Sequence, residues 1–159
     1  VSPFFYTQYK KDLFSIKFKT IYAQAGEHVN LNGGYALKAD GEGYTPTRNS
    51  SSWVSLSYGK EWQMILFGGY VKNFGTAEAI RSASDIYFSK NRFSNMNAMW
   101  RLTPTIIRNM GKIAIGLEYE ITSVQYGNKL LFNLSNALAD RDLHWVTNNR
   151  LQCMVKYSF

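Results

Sequence analysis

Apolar and polar residues alternate with a period of two through most of this chain, and no helical period is sustained anywhere. Successive side chains point to opposite sides of a strand, so the pattern describes sheet segments with one apolar and one polar face. In residues 13–24, Phe14, Ile16, Phe18, Thr20 and Tyr22 oppose Ser15, Lys17, Lys19 and Ile21. In residues 112–126, Ile113, Ile115, Leu117, Tyr119 and Ile121 oppose Lys112, Ala114, Gly116, Glu118, Glu120 and Thr122. The last segment sets Trp145, Leu151, Cys153, Val155, Tyr157 and Phe159 against Asn148, Arg150, Gln152, Lys156 and Ser158. Residues 3–10 and 52–60 are shorter alternating runs. Residues 95–107 alternate Met96, Ala98, Trp100, Leu102 and Ile106 with Asn97, Arg101, Thr103 and Thr105, and Pro104 predicts a bulge or break there. Residues 62–74 are apolar on both faces; the phase chosen puts Trp62, Met64, Leu66 and Tyr70 outward. Seven strands are expected.

The connections alternate between short and long. Short turns fall at Lys10–Asp12, Gly59–Glu61 and Arg108–Gly111, and long polar connections at 25–51, 75–94 and 127–143. Short periplasmic turns opposite long extracellular loops are the habit of outer-membrane barrels. The expectation is therefore an all-β, transmembrane, antiparallel up-and-down β-barrel, with residues 1–159 a single barrel segment. Residues 76–86 and 129–139 have helix-favouring composition, but irregular loop is the expected state of each.

Composition fits this reading and excludes others. Aromatics at 16% and charged residues at 18% exclude a disordered chain. One cysteine excludes an intrachain disulfide framework, and no run approaches the roughly 18 apolar residues of a spanning helix. A barrel needs no such run, because lipid-facing and lumen-facing residues cancel in the mean. The chain lacks an initiator Met and a signal peptide, which reads as a processed product or fragment. Strand parity points the same way. If the short turns are periplasmic, the last strand ends at the periplasmic side with Phe159, and the first of seven starts outside the cell. A complete bacterial barrel has an even strand number, so the C-terminal part of a larger barrel is expected. An eighth strand within 29–38 is the alternative, at the expense of the turn alternation.

The final strand, VTNNRLQCMVKYSF, carries Leu151, Cys153, Val155, Tyr157 and Phe159 at alternate positions. It resembles the C-terminal signal that outer-membrane barrels present to the barrel-assembly machinery. More narrowly, YTPTRNSSSW at 44–53, WQMILFGGYVKNFGT at 62–76, GLEYEITSVQYG at 116–127 and VTNNRLQ at 146–152 resemble outer-membrane porins of Bacteroidetes type. The resemblance implies a passive channel for small hydrophilic solutes in a Gram-negative outer membrane, and supplies no binding-site residue.

On the outward face, Tyr9, Phe14, Tyr58, Trp62, Tyr157 and Phe159 are expected in a periplasmic aromatic girdle, with Tyr22, Tyr70, Tyr119 and Trp145 nearer the outer interface. On the inward face, Lys17, Lys19, Arg101, Arg150 and Lys156 outnumber Glu118 and Glu120, so this part of a lumen reads as mildly basic. Equally open is a bracing ladder in which both glutamates pair with Arg101 and Arg150.

Other chemistry has weak sequence support. His28 and His144 have no second ligand at metal spacing, and Asp142 or Ser135 beside His144 read as solvated loop residues. Asp40–Gly41–Glu42–Gly43 reads as a turn rather than a Ca²⁺ loop, and Cys153 as a small apolar side chain. No catalytic residue, metal or cofactor is expected. The net charge of +7 raises nucleic acid as a partner, but Lys17 and Lys19 share their face with Ser15 and Ile21 rather than a stacking platform, so none is expected. The expected partners are outer-membrane lipid, the assembly machinery and small solutes, and homo-oligomerisation leaves no mark. The alternative function is a non-transporting anchor or adhesin acting through its long loops.

Overall fold

The computed structural model describes residues 2–26, 33–88 and 95–159. The chain is an antiparallel all-β protein with nine strands and no α-helix among these residues. The strands are β1 (Phe4–Lys11), β2 (Phe14–Gln24), β3 (Gly34–Leu37), β4 (Tyr44–Gly59), β5 (Trp62–Thr76), β6 (Ile86–Phe88), β7 (Met96–Met110), β8 (Ile113–Tyr126) and β9 (His144–Tyr157). Seven of them form a meander in the order β1-β2-β4-β5-β7-β8-β9, every pair antiparallel, with β3 and β6 lying in the connections. The short β3 pairs with β4 and β6, beside this path. The sheet is open, with β1 and β9 at its edges.

The seven expected strands are the seven of the meander, and the three short turns, between β1 and β2, β4 and β5, and β7 and β8, are tight. Asp12 accepts a left-handed φ of 51° at the first turn, which a short polar side chain tolerates. Pro104 produces no bulge. It stays opposite Leu66 on β5, while β7–β8 pairing lapses beside it and resumes in unchanged register. A proline without N–H costs the ladder a bond but need not shift it. The register shifts lie at Arg48/Asn49 and Met96/Ala98 instead.

The long connection expected at 25–51 is shorter, because β4 begins at Tyr44. The run YTPTRNSS has no apolar face, so nothing in its pattern marked it as strand. Part of 29–38 is strand, as β3, but it adds no member to the meander. Between the end of β5 at Thr76 and the start of β6 at Ile86 lie an isolated bridge of Ile80 with Lys38 and a short 3-10 turn at Ala83–Asp85, and 129–139 are turns with an isolated bridge between Asn133 and Leu138.

At their far end the three long connections pack on one another. Ala36, Ile80 and Ala137, one from each, form a buried cluster covered by Ile86. Backbone bonds tie the layer together: Thr76 N donates to Asn136 O at 2.7 Å, and Ile80 N to Leu134 O at 2.7 Å. Asn95 Nδ2 donates to Gly127 O at 2.7 Å, and Asn97 Nδ2 donates to Ala139 O. Arg48 staples the end of β5, its Nη2 donating to Thr76 O at 2.6 Å. The described parts of the connections thus form a packed cap.

Candidate functional site

Cross-strand partners share a face, so the register assigns every residue of the meander to one side. All ten aromatic candidates, on paired strands or at their ends, follow the apolar side. Phe14 lies opposite Tyr58, Tyr58 opposite Met64, and Tyr9 opposite Ile16. Trp62 faces Arg108, Tyr119 faces Leu151, Trp145 faces Gln125 and Tyr157 faces Ile113. Phe159 lies beyond β9, its ring in edge contact with Tyr157 at 5.1 Å. The candidates Leu151, Cys153 and Val155 stand on this same side, opposite Tyr119, Leu117 and Ile115.

This face is apolar and open to solvent. Met64, Leu66, Ile106, Ile115, Leu117, Leu151 and Val155 are all exposed, Val155 by 74%. A groove of about 500 Å³ runs over it, lined by Phe14, Leu56, Leu66, Pro104, Leu117 and Leu151 among others.

The apolar stretch has the same nine-residue length on three of the strands, and is shorter on β4, where Ser52 and Ser50 take the face. It runs from Phe14 to Tyr22 on β2, Trp62 to Tyr70 on β5 and Ile113 to Ile121 on β8. Beyond its upper edge the same face turns polar, with Lys72, Ser123, Gln125 and Thr147. The band also climbs. Phe14 stands level with Met64, two residues inside the start of the band on β5, and Trp62 stands level with Ile115, two residues inside its start on β8. Each displacement spans two strand steps, a stagger of about one residue per strand. Tyr22 and Tyr70 mark the upper edge of the band. Tyr119 lies one alternate position inside it, and Trp145 lies past it, level with Gln125.

The other face carries all seven lumen candidates. Lys17, Lys19, Arg101, Glu118, Glu120, Arg150 and Lys156 fall on the opposite parity on β2, β7, β8 and β9. Four of them form one network. Glu120 Oε2 receives Arg150 Nη2 at 3.1 Å and lies 3.5 Å from Arg101 Nη1. Glu118 Oε1 lies 3.5 Å from Arg150 Nη2, and Glu118 Oε2 accepts from Thr105 Oγ1 at 3.2 Å. Thr122 links the ends: its hydroxyl donates to Glu120 and accepts from Arg101 Nε. Glu120 is the most enclosed member, its side chain 10% exposed. The bracing alternative is the arrangement adopted. Lys17, Lys19 and Lys156 make no ion pair among the described residues.

Sequence reasoning missed three aromatic residues on this polar face. The register sets Lys19 between Tyr6 and Trp53, and Lys17 beside Ser55, which faces Phe67. The expectation that Lys17 and Lys19 have no aromatic neighbours is therefore wrong. Their own strand holds none on this face, and only cross-strand register brings the rings beside them. The available signal was parity: Trp53 and Phe67 sit on the polar phase of their strands.

The remaining candidates assemble nothing further. His144 Nδ1 contacts the backbone oxygen of Asp142 at 3.1 Å, while the Asp142 carboxylate receives Asn128. Ser135 Oγ donates to Asn133 rather than meeting His144. Asp40 Oδ1 accepts Glu42 N at 2.8 Å, an Asx turn. His28 lies outside the described residues. Among the described residues no three His, Cys, Asp or Glu side chains are placed to hold a metal. No family model, curated protein or solved structure matches the chain.

Proposed function

We propose that this sheet is part of the wall of an outer-membrane β-barrel, its apolar face against lipid and its polar face lining a passive aqueous channel for small hydrophilic solutes. The observation that carries the reading is the exposed, staggered apolar band. Soluble monomers rarely leave more than a few hundred Å² of contiguous apolar surface open, and here that surface extends across the meander.

The stagger supplies a second support. One residue per strand, at a rise of about 3.3 Å and a spacing of about 4.8 Å, tilts strands by roughly 35° when the band lies level. Closed barrels tilt by about 35–45°. The nine-residue band then stands about 22 Å tall, close to the roughly 25 Å lipid-facing belt of outer-membrane barrels. In this reading further strands pair with β1 and β9, since a membrane does not tolerate open edges. The strand carrying Leu151, Cys153, Val155, Tyr157 and Phe159 is the one the barrel-assembly machinery engages.

With Arg101, Arg150, Glu118 and Glu120 neutralising one another, Lys17, Lys19 and Lys156 leave this part of the lumen mildly anion-attracting. Single-channel recording of the intact protein in a planar bilayer tests the proposal: discrete conductance steps are expected, and their absence would remove the channel. The second reading, a surface anchor or adhesin, is favoured by the cap. There Tyr35 stacks on Tyr87 and meets Tyr44 edge-on, both at 5.2 Å, and all three rings are exposed.

A further inference from the structure

Three aromatic rings run in a chain across the polar face. Tyr6 and Trp53 reach over the intervening β2 to bring their centroids to 6.3 Å, and Trp53 and Phe67 stand 5.9 Å apart. The strip continues toward Arg101 through Gly69, which lies opposite Trp53 on one side and Arg101 on the other. Gly69 leaves room for the rings: a Cβ there would sit 3.2 Å from the Phe67 ring. Lys19 lies in register between Tyr6 and Trp53, and Lys17 lies in the next row beside Ser55. Neither lysine has a carboxylate partner among the described residues.

We propose that the strip formed by Tyr6, Trp53 and Phe67, with Lys17 and Lys19, is a binding track for an acidic oligosaccharide. The proposal rests on the pore reading for its place inside a lumen. Ring faces carry partial negative charge, and the C–H groups on one side of a pyranose carry partial positive charge, so the two stack. The lysines supply cations for uronate carboxylates. Arg150 and Glu118, the more exposed members of the network next along the face, offer donors and acceptors to hydroxyl groups. A nucleic acid strand would also stack on the rings, but a deoxy strand presents few hydroxyl donors to an acceptor such as Glu118, and the oligothymidylate arm of the test distinguishes it.

The test measures binding of oligogalacturonate to the intact protein in detergent by calorimetry, beside maltohexaose and a short oligothymidylate. The acidic saccharide is expected to bind best, and Trp53→Leu to weaken it by about tenfold, the loss of one stacking contact. Trp53→Phe, which restores a ring, should recover most of the affinity. Lys17→Gln with Lys19→Gln should abolish the preference over maltohexaose and the salt dependence. Equal affinity for maltohexaose, tighter binding of oligothymidylate, or an unchanged affinity in a folded Trp53→Leu variant would overturn the track. Current recording separates the two readings: saccharide binding without conductance keeps the track and loses the pore, while conductance without binding does the reverse.

Discussion

Glu120 holds Arg150 at 3.1 Å across the β8–β9 pair, with its own carboxylate nearly enclosed. Arg101 approaches the same Oε2 from β7, so one carboxylate balances two guanidiniums on opposite neighbours. Removing that charge leaves the two cations facing each other with only Glu118 nearby. Glu120→Gln is expected to destabilise the sheet by about 1–3 kcal/mol. Lys156→Gln on the same face, with no ion pair, should stay within about 0.5 kcal/mol. Denaturant titration of the folded protein in detergent checks both.

The apolar face predicts a strong asymmetry between neighbouring positions. Leu117 lies mid-band, and Leu117→Lys should cost about 2–4 kcal/mol of membrane-inserted stability. Gln152→Lys, on the polar face opposite Glu118, should cost almost nothing. Urea refolding into lipid vesicles compares them.

The cap depends on one close approach. A Cβ on Gly127 would fall 1.7 Å from Ala139 O, so Gly127→Ala must push the third connection off Asn95. Faster limited proteolysis within 127–143 is expected, with the seven-strand sheet intact by circular dichroism. Lys38 responds to pH in the same layer. Its hydrogen bond and charge interaction with Glu78, at 3.0 Å, raise its ammonium above the ordinary lysine value. A raised group contributes fully below the unfolded value and loses its contribution as pH rises through the folded one. Cap proteolysis should therefore be flat through neutral pH and accelerate only in strong alkali.

Phe159 is fully exposed, so its role in the proposed assembly signal does not run through folded-state packing beyond its contact with Tyr157. Phe159→Ala should lower the assembled fraction in cells several-fold while leaving denaturation of the purified protein unchanged. Equal loss in both measurements would assign it a structural role instead.

The sequence was most legible where one strand alone carries the information. Period two marked the seven strands of the meander, and the outward phase chosen for Trp62, Met64, Leu66 and Tyr70 matches the register, in which Met64 faces Tyr58 and Tyr70 faces Trp100. It was silent where meaning lies between strands. That Glu120 meets Arg101 and Arg150, or that Trp53 flanks Lys19, depends on a one-residue choice of register that no single strand encodes. The start of β4, with Pro46 and hydroxyl residues on both sides, has no face to betray it. The cap is held largely by backbone bonds and small residues such as Ala36 and Ala137, which carry little pattern.

In the proposed wall the two faces of the sheet meet different solvents, and cysteine accessibility along β9 tests this most directly. In a Cys153→Ser background, single cysteines at Leu151, Gln152, Ser-substituted position 153 restored to Cys153, Met154 and Val155 would be treated in lipid vesicles with a charged, membrane-impermeant thiol reagent. Labelling should alternate, fast at 152 and 154 and absent at 151, 153 and 155. Uniform labelling, or fast labelling at 151, 153 and 155, would contradict the membrane wall and return the sheet to water on both sides.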